Sequence, residues 1–382
     1  MYKEIVGFIR AAFQQPEGFI ALHEPKFLGN EKKYLVDAID STYVSSVGQY
    51  VNRFEEQMKQ ITGASHVVAV VNGTCALHLA LLLAGVEPGE EVITQPLTFV
   101  ATVNAIKHAN ASPHFVDVDK DTLGLSPEKL RIQLAAVAQV KDGKCFNKIT
   151  GRRIAACVPM HSFGFPLRID EVIEICSQYH IPVVEDSTES LGASYKGRAT
   201  GTFGSLGTFS FNGNKTVTSG AGGAIITNDE VLGKRAKHLS TTAKLPHAWE
   251  FVHDEVGYNY RMPNLNAALA CAQLEQLESY IRNKRSLAAE YRSFFKERGI
   301  PFVDEIAGAS ANYWLCTILL KDRADRDAFL EYVNGRQVMC RPAWTLMTKL
   351  DMFKNDVAGD LTNASWLEDR IVNIPSSVRP PL

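Results

Sequence analysis

The order of the apolar segments between about residues 60 and 230 constrains the fold most strongly. Short apolar runs of strand character alternate there with longer segments whose apolar residues recur at helical spacing. The runs are almost continuously apolar, which is typical of parallel strands buried on both faces. The sequence therefore predicts an α/β fold with a largely parallel central sheet covered by helices. The predicted strands are 91–94, 113–117, 154–160, 182–185, 206–211 and 224–227, and the predicted helices are 74–84, 98–108, 127–140 and 169–180.

The pattern changes after Asp229. A helix over residues 229–239 is followed by a polar loop, 241–258, which is long enough to have a functional role. Pro263 then begins a helical pattern that continues to about Arg298. Further on, predicted strands at 314–320 and 338–341 flank a helix at 326–333. We therefore expect two domains: an N-terminal segment with a large domain over residues 1–262, and a smaller α+β domain over residues 263–382.

Composition argues against several classes of partner. The 382 residues include 40 basic and 42 acidic side chains, a net charge of −2, so neither nucleic acid nor an anionic membrane is expected. The seven cysteines have no spacing typical of a metal site, and no metal is expected. The absence of a signal peptide favours the reducing cytoplasm. Residues 1–15 predict an amphipathic helix that packs on the body of the protein or on a partner subunit.

Lys215 is the main candidate for covalent chemistry. It follows a strand-like run and precedes the closely spaced Gly220, Gly222 and Gly223. Asp186 ends another predicted strand, at the edge of the sheet where α/β proteins bind ligands. Pyridoxal phosphate needs a lysine for its Schiff base and an acid for its pyridine nitrogen. The two residues together predict this cofactor, although each alone is also explained as a loop lysine or as an aspartate that caps a turn.

Three small residues are candidates for binding the phosphate of that cofactor. Gly73 and Thr74 open a predicted helix, where free N–H groups and the helix dipole attract anions. Ser210, at the end of a predicted strand, offers a further hydroxyl. The ordinary alternatives are a helix N-cap by Asn72 or Thr74 and a strand-end serine without a ligand. Phe99 is a candidate for stacking on the cofactor ring, with a position in the core as its alternative.

Several short motifs occur along nearly the whole chain and resemble one known family. Together they resemble the DegT/StrS family of sugar-nucleotide aminotransferases. The resemblance implies an aspartate-aminotransferase-like fold, the type I fold of enzymes that use pyridoxal 5′-phosphate, with the small α+β domain at the C-terminus. The motifs lie at residues 42–46, 54–55, 72–77, 88–93, 185–187, 210–215 and 257–262.

The resemblance implies a role for each residue that matches a motif. Lys215 would form the Schiff base, and Asp186 would pair with the protonated pyridine nitrogen. Family members that remove a hydroxyl have histidine at the lysine position, so Lys215 favours transamination. The other implied cofactor ligands are Phe99 on the ring and three residues on the phosphate, Gly73, Thr74 and Ser210.

Two further positions concern the neighbouring subunit and the substrate. Asn259 matches an asparagine that reaches the phosphate from the other subunit, which implies a homodimer with composite active sites. Glu189 stands three residues after Asp186, where the family often has glutamine or histidine. It would lie near the phenolic oxygen of the cofactor or near the sugar, and its protonation state is left open by the sequence.

The substrate is suggested by segments near both ends of the chain. Residues 22–31 and 341–347 resemble the subgroup that aminates UDP-linked 4-keto-6-deoxy-N-acetylhexosamines in bacillosamine and legionaminic acid biosynthesis. The amino donor would be L-glutamate. Arg341 and Trp344 are candidate substrate ligands with Glu189, although the first two also fit a packing cluster. The alternatives are a GDP- or dTDP-linked keto sugar, or a non-catalytic regulator that binds the same cofactor. No GxGxxG motif follows the first strand, which argues against a nicotinamide-dependent oxidoreductase.

Overall fold

Strands and helices alternate along the chain as the apolar pattern predicts. The computed structural model describes residues 1–380. Its helices are α1 (Tyr2–Ala12), α2 (Glu31–Asp40), α3 (Gln49–Thr62), α4 (Gly73–Leu83), α5 (Val100–His108), α6 (Pro127–Val137), α7 (Ile169–Gln178), α8 (Glu230–Ser240), α9 (Asn264–Leu274), α10 (Leu277–Lys296), α11 (Arg323–Asn334) and α12 (Thr362–Glu368). Its strands are β1 (His66–Val70), β2 (Glu91–Thr94), β3 (Ser112–Phe115), β4 (Ala138–Lys141), β5 (Lys144–Asn147), β6 (Ile154–Val158), β7 (Val184–Asp186), β8 (Ser194–Tyr195), β9 (Arg198–Ala199), β10 (Leu206–Ser210), β11 (Gly223–Thr227), β12 (Ala309–Ser310), β13 (Cys316–Leu319), β14 (Arg341–Pro342), β15 (Val357–Ala358) and β16 (Ile371–Ile374).

The central sheet is mostly parallel. Its strand order is β1-β11-β10-β7 in one half and β6-β2-β3-β15 in the other. Parallel bridges between Cys157 and Val183 and between Met160 and Asp186 join β6 to β7. Strand β11 is antiparallel to both neighbours, whereas the other pairs are parallel. The predicted α/β fold with a largely parallel sheet is confirmed.

Helices cover both faces of this sheet. Successive residues of β1 enter opposite cores, because side chains alternate across a strand. Val68 and Val70 pack with residues of α4, α5 and α8. Val67 and Ala69 pack with residues of α3 and α9 on the other face. This double burial explains why the strand segments are apolar at nearly every position.

Four strands deliver their C-terminal ends to one edge of the sheet. Strands β2, β7 and β10 run in the same direction, and β1 joins them because it is separated from β10 by one antiparallel strand. The loops that follow these strands therefore meet. Phe99 and Lys215 lie in these connections, while Asp186 ends β7 and Gly73 begins α4 at the same edge.

A second core lies around the C-terminal sheet β13-β16-β14. Helices α10, α11 and α12 contribute to it, and so does the N-terminal helix through Ile5, Val6 and Ile9. The predicted amphipathic helix thus packs on the body of the protein. The division of the chain at residue 263 stays a prediction, and α1 packs on the C-terminal side of that division.

Two predicted helices end earlier than the pattern indicates. The long pattern from Pro263 is interrupted after Leu274, because α9 packs against α2 and α3 while α10 continues into the second core. The predicted helix 127–140 stops at Val137, and the chain turns into a hairpin at Asp142 and Gly143, both at positive φ. Within residues 1–380, no helix has the length and apolar character needed to cross a membrane.

Candidate active site

A cavity of about 320 Å³ opens at the shared carboxyl edge of the sheet. This volume, and a mostly apolar lining with a few converging polar groups, are typical of a small-molecule site. Eight of the residues predicted from the sequence line it: Gly73, Thr74, Phe99, Asp186, Glu189, Ser210, Lys215 and Trp344. The predicted residues at this edge therefore lie together around the candidate lysine in one cavity.

Lys215 lies at the base of this cavity between a carboxylate and an aromatic ring. Its side chain is 12% exposed, and its Nζ lies 3.3 Å from Oε1 of Glu189. The same Nζ lies 3.9 Å from the ring centroid of Trp314, an attractive contact for a cation. The lysine is therefore held in place within the cavity rather than solvated in a loop.

Glu189 is more deeply buried than the lysine that it faces. Its side chain is 1% exposed, and its Oε2 accepts a hydrogen bond of 2.8 Å from the N–H of Phe163. Burial raises the pKa of the Glu189 carboxyl to about 7, and the negative charge of Asp186 acts in the same direction. The Lys215 ammonium and the Phe163 N–H oppose this rise. The carboxyl therefore titrates near neutral pH.

Asp186 has both carboxylate oxygens fixed by hydroxyl groups. Thr102 donates a hydrogen bond of 2.7 Å to Oδ2, and Thr188 donates one of 2.7 Å to Oδ1. The backbone N–H of Thr188 also reaches Oδ1 at 3.2 Å. Hydrogen bonds to the charged form stabilise a carboxylate. This arrangement suits a residue that must remain an anion beside a protonated ring nitrogen.

Glu185 points to the opposite side of the strand, as its neighbouring position predicts. Its oxygens accept the backbone N–H groups of Gly201, Phe203 and Gly204 and lie 3.1 Å from Nε2 of His161. Because side chains alternate along the strand, Asp186 lies in the cavity, whereas Glu185 binds the backbone of the loop that contains Gly201.

The start of α4 forms an open cradle beside Ser210. Asn72 accepts a hydrogen bond of 2.8 Å from the N–H of Cys75 and caps the helix, while the first-turn N–H groups of Gly73 and Thr74 have no intrahelical partner. A Cβ at Gly73 would lie 2.9 Å from Cβ of Ser210. The N-cap considered as an alternative is thus present, and the space for an anion lies next to it.

Aromatic rings form the mouth of the cavity. Phe99, 47% exposed, is not a core residue, and its ring centroid lies 6.3 Å from that of Trp344. Trp344 stacks on Phe163 at 4.6 Å. Because a flat ligand can be covered by such a surface, Phe99 is available for the stacking role predicted for it.

Two predicted residues lie outside the cavity. Asn259 is exposed, and its Oδ1 accepts a hydrogen bond of 3.0 Å from Nε of Arg261. Its predicted role needs a second subunit and stays a prediction. Arg341 is also exposed, and its guanidinium donates to Asn334 at 3.0 Å and to the carbonyl of Cys340 at 3.1 Å. The single chain does not bring Arg341 to Lys215.

Four residues that hold the candidate side chains were not predicted from the sequence. They are Thr102 and Thr188 beside Asp186, Trp314 beside Lys215, and Asn312, which binds the carbonyl of Glu189 at 2.9 Å and the N–H of Trp314 at 2.8 Å. Thr98 and Thr102 lie four residues apart, and this helical spacing of two hydroxyl groups could have indicated a polar role for Thr102. Trp314 opens an apolar run, so its sequence context indicates only a buried strand.

The residues present fit pyridoxal phosphate. A lysine and a fixed carboxylate share one cavity, and an anion cradle with free N–H groups lies beside them. The cradle exists because position 73 has no side chain, since a Cβ would lie 3.3 Å from both Oγ of Ser210 and Cγ2 of Thr188. The free N–H groups of the cradle suit an organic phosphate, and the fixed carboxylate suits a cationic ring.

Comparisons with known proteins agree with this assignment. The sequence model of the DegT/DnrJ/EryC1/StrS aminotransferase family matches residues 26–379. The chain is 34% identical over 363 residues to the GDP-perosamine synthase of Escherichia coli O157:H7, covering 94% of this chain and 93% of the relative. It is 34% identical over 362 residues to the GDP-perosamine synthase of Vibrio cholerae, with 94% of each chain covered.

A solved structure gives the same result for the fold. The aminotransferase TlmJ from Streptoalloteichus hindustanus superposes with a TM-score of 0.84 at 25% identity, covering 94% of each chain. The aminotransferase fold and the family predicted from the motifs are confirmed. These relatives give no support to the UDP-specific subgroup.

Proposed function

Because the chain belongs to the DegT/DnrJ/EryC1/StrS aminotransferase family, we propose that it transfers the amino group of L-glutamate to a nucleotide-linked 4-keto-6-deoxy sugar. Its cofactor is pyridoxal phosphate, as in that family. When bound, this cofactor supplies the electron sink that lets an amino group leave one carbon and join another. The observation that carries the proposal is the location of Lys215 and Asp186 in one cavity.

In this proposal Lys215 has two tasks. It binds the cofactor covalently through Nζ, and when that nitrogen is released it moves a proton to or from the reacting carbon. The base of the cavity favours both tasks, because Glu189 and Trp314 restrict the position of Nζ. A lysine rather than a histidine at this position favours transfer of an amine over removal of a hydroxyl.

The other residues bind and orient. Asp186, fixed by Thr102 and Thr188, keeps the ring nitrogen protonated by favouring the charged form of the ring. The first turn of α4 and Ser210 bind the phosphate. Binding at both ends fixes the cofactor relative to Lys215, and fixed geometry accounts for much of the rate that an enzyme gains.

The sugar enters past the aromatic mouth. Phe99 and Trp344 offer flat apolar surfaces there, which suit one ring face of the cofactor and a base or sugar. The three charged side chains that line the cavity among the described residues are Asp186, Glu189 and Lys215. The phosphates of a nucleotide sugar therefore have no guanidinium in the cavity of a single chain, which supports a site completed by a second subunit.

We propose a homodimer in which Asn259 of one subunit reaches the phosphate of the cofactor in the other. Asn259 is exposed and is paired with Arg261 on the same side of its segment. Its two neighbours, Tyr258 and Tyr260, are partly buried against His78 of the same chain. These contacts hold the segment against its own chain, while the amide of Asn259 remains exposed for contact with a second subunit.

Of the UDP-, GDP- and dTDP-linked keto sugars considered from the sequence, two are favoured by a specific observation. Both relatives described above bear the name GDP-perosamine synthase, which favours a GDP-linked sugar. The similarity of residues 22–31 and 341–347 to the bacillosamine and legionaminic acid subgroup favours UDP-linked N-acetylhexosamines instead. The relatives cover almost the whole chain, so the GDP-linked sugar is the first to be tested.

A transfer experiment tests the proposal and separates the nucleotides. Purified protein loaded with pyridoxal phosphate is incubated with L-[15N]glutamate and GDP-, UDP- or dTDP-linked 4-keto-6-deoxy sugars, and the products are weighed by mass spectrometry. We expect 15N in one amino sugar, and none with Lys215→Ala. The exposed Lys234→Ala serves as the control and should transfer normally.

The outcome also separates an enzyme from a regulator. A regulator of this fold would bind the cofactor without turning glutamate over, so 2-oxoglutarate would not accumulate in excess of protein. Transfer by Lys215→Ala at the rate of the wild type would refute the role of Lys215. If the loaded protein forms no 2-oxoglutarate from L-glutamate, the proposal that this chain transfers the amino group of glutamate is refuted.

A further inference from the structure

Glu189 and Lys215 form a pair of opposite charges with two titratable neighbours. One is Asp186, whose charge raises the pKa of Glu189. The other is the buried His23, whose pKa is lowered by burial, by Lys284 and by Lys215. Their side chains are 1% and 12% exposed, and 3.3 Å separates Oε1 from Nζ. Lys215 is the single cation among the described residues that line the cavity, which also contains the two carboxylates of Asp186 and Glu189. Any event that removes the charge of Lys215 therefore leaves two buried carboxylates without a cation beside them.

The two carboxylates differ in what remains when that charge is lost. Asp186 keeps hydroxyl donors on both oxygens, from Thr102 and Thr188. Glu189 keeps one donor, the N–H of Phe163 on Oε2. Its Oε1 then has no donor in the cavity, and a buried oxygen without a donor is costly in free energy when it is charged. A proton on Oε1 removes that cost.

The backbone around Glu189 is arranged to keep this geometry. Phe163 has φ of 56°, a conformation that is unfavourable for a residue with a side chain. Its carbonyl accepts a hydrogen bond from Leu315 at 3.2 Å. Asn312 binds the carbonyl of Glu189 with its Nδ2 and the N–H of Trp314 with its Oδ1. One amide thus positions both groups that flank Nζ of Lys215.

The pKa of the Glu189 carboxyl is set by opposing effects of its surroundings. Burial and Asp186 raise the pKa of its carboxyl, whereas the Lys215 ammonium and the Phe163 N–H lower it, and the result is about 7. No other charged group is among the causes of this shift. Loss of the ammonium removes the stronger of the two opposing effects, so the pKa of Glu189 rises further.

We propose that Glu189 is a catalytic residue that accepts the proton of Lys215 and returns it. The proton moves from Nζ of Lys215 to Oε1 of Glu189, the N–H bond breaks, an O–H bond forms, and an ammonium and a carboxylate become a neutral amine and a carboxylic acid. Nothing else is consumed. The amine gains the lone pair that bond formation requires, and the proton remains 3.3 Å away for the reverse step.

This inference rests on the proposed function, because it assumes that Lys215 works as a nucleophile and proton carrier. Its test nevertheless needs no turnover. Full-length, cofactor-free Lys215→Met keeps the length of the side chain and loses its charge, while Lys215→Arg keeps the charge. The infrared C=O band of a protonated carboxyl is followed with pH in each variant, and Glu189 is identified by subtracting the spectrum of the same variant with Glu189→Gln.

We expect the Glu189 band of Lys215→Met to persist at least one pH unit higher than that of Lys215→Arg. Equal midpoints in the two variants would overturn the inference, and so would a Glu189 that is ionised at pH 6 in Lys215→Met. Circular dichroism verifies that both variants fold. Because the cofactor and the substrates are absent, either result is independent of whether the amino group is transferred.

A kinetic comparison completes the test in the loaded enzyme. Glu189→Gln preserves size and hydrogen bonding but cannot hold the proton. We expect it to slow amino transfer at least tenfold and to remove the inflection near pH 7 from the pH profile of kcat. Glu174→Gln, an exposed glutamate on α7, should leave rate and profile unchanged. An unchanged profile for Glu189→Gln in an enzyme that does transfer would overturn the inference and leave the proposed function standing.

Discussion

Gly73→Ala tests the phosphate cradle with one added methyl group. Gly73 is the first residue of α4, and a Cβ there would lie 2.9 Å from Cβ of Ser210 and 3.3 Å from its Oγ. Two carbon atoms pack best at about 3.5–4.0 Å. The side chain of Ser210 must therefore move toward the cavity, and the new methyl occupies the space next to the N–H groups.

The expected loss of cofactor affinity depends on the space into which the Ser210 side chain can move. In the cofactor-free protein it has an open cavity of about 320 Å³ beside it, so the strain is relieved at little cost. With the phosphate bound, that space is taken and the strain remains. One extra methyl in a packed site costs about 1–3 kcal/mol, which corresponds to cofactor binding that is roughly 5- to 150-fold weaker.

The assay is an absorbance titration of cofactor-free protein with pyridoxal 5′-phosphate, with thermal unfolding measured in parallel. Gly213→Ala is the matched control, because a Cβ at Gly213 meets no atom within 4 Å and lies two residues before Lys215. We expect Gly213→Ala to bind as the wild type does. A folded Gly73→Ala with wild-type affinity would show that the phosphate does not bind at the start of α4.

Three further predictions concern the residues around this cradle. Thr102→Val removes a hydroxyl donor from the buried Asp186 and should lower the unfolding free energy by about 1.5–3 kcal/mol; denaturant curves that match the wild type would contradict this. Glu189 contributes stability that is present below its ordinary pKa of 4.5 and lost as the pH rises through about 7, so in cofactor-free protein Glu189→Gln should gain roughly 3 kcal/mol relative to the wild type between pH 4.5 and pH 8. A difference that stays constant with pH would mean that the carboxyl is not shifted. Trp344→Ala should raise KM for the nucleotide sugar roughly tenfold, a loss of about 1.4 kcal/mol, whereas Arg341→Ala should change it less than twofold because Arg341 is bonded outside the cavity. The reverse order would place Arg341 in the substrate site.

The central part of the fold could be predicted because its signals are local. Strand β2 has the predicted bounds, 91–94, since Pro88-Gly89 precedes it and all four of its residues are buried. The meeting of Lys215 with Asp186 follows from the common direction of β7 and β10. A parallel sheet places the ends of such strands at one edge, so two residues 29 positions apart could be paired from the sequence.

The missed features depend on distant parts of the chain. Trp314 reaches Lys215 because Asn312 and Asn214 hold its two N–H groups, and neither contact leaves a pattern near Trp314. The break between α9 and α10 separates two cores and is not marked by glycine or proline. The Asp142-Gly143 dipeptide is a turn signal that could have predicted the hairpin. The helical pattern of the preceding residues led to a longer helix being predicted instead.

The family resemblance added what residue patterns could not. It pointed to Glu189, which lines the cavity beside Phe99 and Ser210, two residues that their own sequence context had already proposed. The same resemblance suggested Arg341 as a substrate ligand, and the single chain places its guanidinium on Asn334 instead. The role of a family residue is thus easier to assign in this chain when that residue acts within one chain. It is harder to assign when the residue contacts a variable substrate or a second subunit.

The identity of the lysine that holds the cofactor is the central claim, and one measurement tests it directly. The protein is loaded with pyridoxal phosphate, reduced with borohydride, digested and mapped by mass spectrometry. We predict one phosphopyridoxyl group per chain, on the peptide that contains Lys215. A label on Lys284, the buried lysine behind Trp314, or on any other lysine would contradict the account.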